Sequence, residues 1–341
     1  MSRKLFVGLT ALLMVLLALP AAAITNPTPD DGEHPQVGQL LFFVPDEIDP
    51  RFPADDPGAW FNCSGTVIAD QIVLTAGHCT YGVGDDGAST TRSSDTNDDG
   101  VINIFDEVDL SGEGGNDIWF TLQEVVDYSF LPHFDYVGTA CSGSSCWYVE
   151  NSDNATRYVD WKNALNGESA WIRGTANPHP DYDDNAFFLH DAGIVELDDS
   201  SGVDSADYGQ LPDEGFLDQF FAQRRNDTRF TPVGYGLQFG FPFYPGGDIR
   251  YQASVMLVDA TGVLGLGPFL PGTAVLFSNS AGKAHQGGTC FGDSGGPVFY
   301  EDSTIIVAVT SFGINPTCTG VGGGYRIDQS DDLEFIGSYL P

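Results

Sequence analysis

Ser294 stands in Cys290-Phe291-Gly292-Asp293-Ser294-Gly295-Gly296-Pro297, where the flanking glycines permit a tight turn that presents the hydroxyl. A serine hydroxyl is a weak nucleophile at neutral pH and needs a base to take its proton. Imidazole titrates near neutrality and suits that task. Among the six histidines, His78 follows the strand-like run Ile72–Ala76 directly, in Leu74-Thr75-Ala76-Gly77-His78-Cys79. The base in turn needs a carboxylate on its other nitrogen, to fix the tautomer and stabilise the imidazolium. Asp181, Asp183, Asp184 and Asp191 compete for that role, and Asp191 is favoured because the apolar segment Ala192–Leu197 follows it directly. Attack on a carbonyl creates an oxyanion, which the backbone N–H groups of Gly292 and Ser294 would face; one such donor contributes about 3–4 kcal/mol. Taken singly, His78 reads as a packed histidine and Ser294 as a turn serine. His34, His133, His179, His190 and His285 keep that plain reading.

Three segments, in the order His, Asp, Ser, change the weighting. They are Cys63-Ser64-Gly65-Thr66 with Leu74–Cys79, His179-Pro180-Asp181-Tyr182 with His190–Leu197, and Cys290–Val298 with Thr310-Ser311-Phe312-Gly313 and Cys318. Each closely resembles a signature of the chymotrypsin/trypsin family. Gly234-Tyr235-Gly236 and an apolar C-terminal segment extend the resemblance over most of the chain. It implies a serine endopeptidase working through an acyl-enzyme, with Ser294 as nucleophile, His78 as base and Asp191 as orienter. Protein or peptide substrates are implied, and no cofactor for catalysis.

The resemblance also implies disulfides Cys63–Cys79 and Cys290–Cys318, leaving Cys141 and Cys146 to each other. It places Gly288, Thr289, Ser311, Gly313 and Gly323 around the specificity pocket. Gly288 stands where trypsin-like members carry an acid, so the expected pocket is open and uncharged, suited to a large apolar or aromatic side chain and not to Arg or Lys. Finally, it pairs the amine of a freed Ile24 with Asp293. An esterase using the same residues and a non-catalytic homologue that binds partners are the competing readings. The setting of Ser294 is not the strand-turn-helix of a nucleophile elbow, and the intact catalytic set argues against a mere binder.

Asp95-Thr96-Asn97-Asp98-Asp99-Gly100-Val101-Ile102-Asn103-Ile104-Phe105-Asp106 resembles the calcium loop of EF-hands and dockerin repeats. Asp95, Asn97 and Asp99 would supply side-chain oxygens, Val101 its carbonyl, and Asp106 would close the loop, which suits a structural Ca²⁺ ion.

The elements that must position these groups read mainly as short strands: Val37–Val44, Thr66–Ala69, Ile72–Ala76, Ile118–Val125, Gly193–Leu197, Phe230–Tyr235, Tyr251–Val258, Ala274–Phe277, Val298–Tyr300, Ile305–Ser311 and Gly324–Ile327. With 42 glycines and 20 prolines, this argues for an all-β barrel or sandwich. The resemblance narrows it to two antiparallel six-stranded β-barrels with the site between them. Ser330 as a cap before Asp331, Asp332 and the apolar Leu333, Phe335, Ile336 and Leu340 reads as a C-terminal helix, and the Asp-, Gly-, Ser- and Thr-rich stretch over about 81–177 as a long insertion. Arg3 and Lys4, the apolar run Leu5–Leu19 and Ala21-Ala22-Ala23 read as a signal peptide over 1–23, leaving a peptidase domain over 24–341. A secreted chain, extracellular or periplasmic, has no membrane contact after cleavage, and six cysteines fit an oxidising compartment. A net charge of −35 disfavours nucleic acid. A monomer is expected.

Overall fold

The computed structural model describes residues 24, 27–45, 47, 58–84, 115–133, 136–142, 145–150, 154–183, 186, 189–220, 228–237, 247–260, 273–279, 287–313 and 317–341. The signal segment 1–23 and the calcium-loop residues Asp95, Asn97, Asp99, Val101 and Asp106 lie outside them. The strands are β1 (Thr28–Pro29), β2 (Val37–Val44), β3 (Ala59–Ala69), β4 (Ile72–Thr75), β5 (Ile118–Thr121), β6 (Tyr136–Ser142), β7 (Ser145–Glu150), β8 (Ile172–Pro178) and β9 (Gly193–Leu197) in the first half. The second half contributes β10 (Arg229–Gly234), β11 (Tyr251–Gln252), β12 (Val255–Asp259), β13 (Ala274–Asn279), β14 (Pro297–Tyr300), β15 (Ile306–Gly313) and β16 (Gly320–Arg326). Helix α1 (Asn154–Gly167) precedes β8, and α2 (Ser330–Gly337) ends the chain.

Two closed antiparallel barrels result. The first runs β2-β3-β4-β9-β8-β5. The second runs β10-β12-β13-β16-β15-β14 and closes where β10 pairs with β14, Thr231 opposite Phe299. Strand β2 shows why the first barrel carries a second layer. Its residues alternate across the sheet: Leu40 and Phe42 face the barrel core, whereas Leu41 and Phe43 join a separate cluster with Trp60, Trp119, Tyr158, Leu165 and Trp171. Helix α1 supplies Tyr158 and Leu165 to that cluster, and burying a side chain such as Leu165 contributes roughly 1.5–3 kcal/mol. Charge fixes the helix further. Asp117 is buried and accepts the Tyr158 hydroxyl (2.8 Å) and the Lys162 ammonium (2.7 Å).

The stretch 81–177 therefore holds two barrel strands, β5 and β8, besides the β6–β7 hairpin and α1. In that hairpin Cys141 and Cys146 stand opposite each other in register. Several element ends differ from expectation; β3, for example, begins at Ala59 rather than Thr66 and β16 at Gly320 rather than Gly324. The expected Tyr251–Val258 strand is interrupted where the Ala253 N–H turns to the Pro232 carbonyl (3.1 Å). The Ile118–Val125 strand stops at Thr121, and Val125 makes only an isolated bridge to Ile249. Ser330 is the first helical residue of α2, with Gln329 at the cap position and no side-chain cap bond.

Candidate active site

His78 lies in a single 3-10 turn, Gly77–Cys79, at the end of β4. Its Nδ1 sits 3.1 and 3.0 Å from the two carboxylate oxygens of Asp191, and its backbone N–H donates to Asp191 Oδ1 (2.9 Å). Asp191 is fully buried, just before β9, and its second oxygen also accepts the Ser311 hydroxyl from β15. The buried carboxylate is thus held from both barrels. Asp181 instead donates its N–H to His179 Nδ1 (3.1 Å).

Ser294 occupies a tight turn between β13 and β14. The Asp293 N–H donates to the Cys290 carbonyl (3.1 Å), the Gly296 N–H to Asp293 (2.9 Å) and the Gly295 N–H to Thr310 (2.8 Å). Gly295 has φ +74°, and a Cβ there would lie 1.9 Å from Thr75 Oγ1; only glycine lets this loop press against β4. Gly292, at φ +93°, takes the other left-handed corner. Ser64 on β3 bolts the loop to the first barrel. Its N–H donates to the Ser294 carbonyl (2.7 Å) and its hydroxyl to the Gly292 carbonyl (3.0 Å), while that hydroxyl accepts the Tyr235 N–H (3.0 Å). His78 and Ser294 line one cavity of about 950 Å³, walled by Trp60, Phe61, Tyr81 and, from α1, Trp161. The disulfides Cys63–Cys79 and Cys290–Cys318 are both formed, one beside each half of the site.

Three of the five expected specificity residues line one pocket, and Gly288 and Gly323 do not. Thr289, Ser311 and Gly313 line this second pocket beside Ser294, but it holds only about 140 Å³. The openness expected at the glycines is absent because other side chains use their space. A Cβ on Gly323 would meet the Phe312 ring at 2.3 Å, and one on Gly288 would meet Asn279 at 2.1 Å. Asn279 is held by its amide donating to the Thr289 carbonyl (2.9 Å). No charged side chain lines this pocket among the described residues.

In this uncleaved chain Ile24 and Asp293 are apart in their contacts. Ile24 is buried with Tyr251 and Ala253. Asp293, also buried, accepts among the described residues the backbone N–H groups of Gly236 and Cys290 (both 2.8 Å). Burial raises its carboxyl from the ordinary 3.8 to about 7, against the two hydrogen bonds. Sequence reasoning missed Ser64, Asn279, Phe312 and the α1 residues. Ser64 and Phe312 stand within the resembling segments, whereas nothing near Asn279 or Trp161 marks them.

A family model described as Trypsin matches residues 151–329, a span that includes Asp191 and Ser294. The structure is similar to a solved structure of HL collagenase, with a TM-score of 0.52 over 92% of this chain and 97% of that one, at 16% identity. At that identity the likeness is one of fold. A comparison with curated proteins found no match.

Proposed function

The chain belongs to the trypsin family and is a serine endopeptidase, and we propose that Ser294, His78 and Asp191 are the residues with which it cleaves peptide bonds. The observation that carries this reading is the His78 Nδ1–Asp191 pair, buried on the carboxylate side and opening on the cavity that Ser294 lines. With Nδ1–H donated to Asp191, the neutral ring would present Nε2 as the acceptor of the Ser294 proton. Ser294 Oγ then attacks the substrate carbonyl, and the N–H groups of Gly292 and Ser294 hold the oxyanion. His78 returns the proton to the leaving amine, and water, activated by the same nitrogen, releases the acyl group. A serine-directed fluorophosphonate should label the active chain at Ser294, and Ser294→Ala should lose both label and peptide hydrolysis. Labelling at another serine, or hydrolysis that survives the substitution, rejects the assignment.

The small uncharged pocket supports a preference for an uncharged side chain before the scissile bond, limited in size by Phe312, and not for Arg or Lys. The aromatic cavity beside the Cys63–Cys79 disulfide would take the leaving side of the substrate. Removal of residues 1–23 during secretion would free the Ile24 amine to pair with Asp293. The raised Asp293 carboxyl, buried with no cationic partner among the described residues, supports this. The Asp95–Asp106 pattern supports a structural Ca²⁺ ion, and the register of β6 and β7 supports a Cys141–Cys146 disulfide.

A further inference from the structure

Three side chains from separate elements meet behind the triad. His179 follows β8, His190 immediately precedes Asp191, and Asp332 lies in the first turn of α2. One donor atom from each lies within 4.8 Å of the others. The two imidazoles stack, with centroids 4.8 Å apart and planes 17° from parallel, and Phe335 makes an edge contact with His179, centroids 4.8 Å apart. Their polar atoms are poorly satisfied. His190 Nδ1 is buried with no hydrogen-bond partner, and the nearest carboxylate, Asp331, stays at 3.6 Å. Asp332 is fully buried, yet its partner is the neutral Tyr325 hydroxyl, 3.1 Å from both oxygens. A buried carboxylate facing buried imidazole nitrogens, with no Lys or Arg beside them among the described residues, is an arrangement that a metal ion completes.

We propose that His179, His190 and Asp332 bind a divalent transition-metal ion of the zinc class, which represses the peptidase through Asp191. The donor set decides the class. Two imidazoles and one carboxylate, with a fourth position for water, suit Zn²⁺, Co²⁺, Ni²⁺ or Cu²⁺; Ca²⁺ would want six to eight oxygens. The ion enters past His190, whose side chain is 30% exposed.

Binding costs local structure. His179 Nδ1 accepts the Asp181 N–H, so coordination through Nε2 moves the ring proton to Nδ1 and breaks that bond. Metal–ligand bonds of about 2.0–2.2 Å also hold donor atoms only about 3.5 Å apart in a tetrahedron, so the cluster must contract. His190 is drawn inward, and it is peptide-bonded to the aspartate on which His78 is oriented. The repression rests on the catalytic assignment above; the binding does not.

The test uses the full secreted chain in saturating Ca²⁺, which keeps hard-cation sites filled. Co²⁺ titration should develop visible d–d absorption with one equivalent bound, and Zn²⁺ should compete it away. Zn²⁺ at saturation should lower kcat for a peptide substrate several-fold. His190→Gln should weaken Co²⁺ binding by roughly tenfold or more while leaving metal-free kcat unchanged and insensitive to Zn²⁺. Asp332→Asn gives a second route should His190→Gln fold poorly. Absence of the cobalt band, or a His190→Gln chain that binds Co²⁺ and is repressed by Zn²⁺ like the parent, overturns the proposal. Because cobalt absorption needs no turnover, a chain that binds the metal but hydrolyses nothing counts against the catalytic assignment alone.

Discussion

Asp293 gives the most quantitative handle on the proposed activation through Ile24. While the Ile24 nitrogen is an amide, the carboxylate has two backbone N–H donors and is pushed by burial from the ordinary 3.8 to about 7. A carboxyl raised in the folded state binds its proton more tightly there than in the unfolded chain. Its contribution to stability is therefore complete below about pH 4 and is lost as pH rises towards 7. That displacement corresponds to a loss on the order of 4 kcal/mol, at about 1.4 kcal/mol per pH unit.

The perturbation is Asp293→Asn, made in a Ser294→Ala background to suppress autolysis, in a chain with a short extension before Ile24. Asparagine stays neutral at every pH, so any offset from its misplaced amide is constant. The difference between the two chains should change by a few kcal/mol between pH 4 and pH 8, the aspartate form losing ground. Urea unfolding followed by tryptophan fluorescence, disulfides intact, reads this directly. In a chain that begins at Ile24, the freed amine should pair with Asp293 and abolish the loss. Parallel profiles for the extended aspartate and asparagine chains would refute the reasoning, since Asp293 would then be ionised throughout without penalty.

Three further outcomes are expected. Phe312→Ala vacates the space over Gly323 and should raise kcat/KM for substrates with Phe or Tyr before the scissile bond by roughly tenfold, as such pocket changes do; a peptide-library digest checks it, and an unchanged profile shows that Phe312 does not set the size limit. Asp117→Asn removes the carboxylate shared by Lys162 and Arg173 and should destabilise the chain by about 3 kcal/mol, the low end for a broken buried pair because both cations are partly exposed, read as a lower thermal midpoint. Chelation of Ca²⁺ should lower the thermal midpoint and speed self-digestion; identical curves with and without chelator would remove the Asp95–Asp106 site.

The barrels were legible because the physics there is local. Strands β2 and β9 fall on their expected ends, since an apolar run between turn residues admits few alternatives. Residues His78, Asp191 and Ser294 could be singled out because the chemistry demands those types in fixed surroundings. Helix α1 was not legible. Its sequence, Asn-Ala-Thr-Arg-Tyr-Val-Asp-Trp-Lys-Asn-Ala-Leu-Asn-Gly, is mostly polar, and what holds it is a buried aspartate 37 residues earlier, Asp117, reached by Tyr158 and Lys162. The pocket size was misjudged for a related reason. Gly323 reads as open wall and Gly288 as an uncharged base, but space in a packed interior is filled by whatever lies opposite. Here Asn279 and Phe312 lie opposite, and cross-strand register, which pairs Phe312 with Gly323, is not written in either segment alone.

The groups proposed for catalysis are divided between two barrels, so their geometry depends on what prevents those barrels from sliding. Hydrophobic packing alone resists separation better than it resists small shifts, because apolar contact is not directional. The directional constraints sit at the site itself. Ser64, from the first barrel, binds the Ser294 and Gly292 carbonyls of the second, and Ser311, from the second, binds the Asp191 carboxylate of the first. Gly295 seated against Thr75 removes the remaining play. These hydrogen bonds are buried or nearly so, where an unmade partner costs about 1–3 kcal/mol. A shift that separates the serine from the imidazole must therefore break several of them together. The same bonds that keep the fold's halves in register would also fix the distance across which the proposed proton transfer runs.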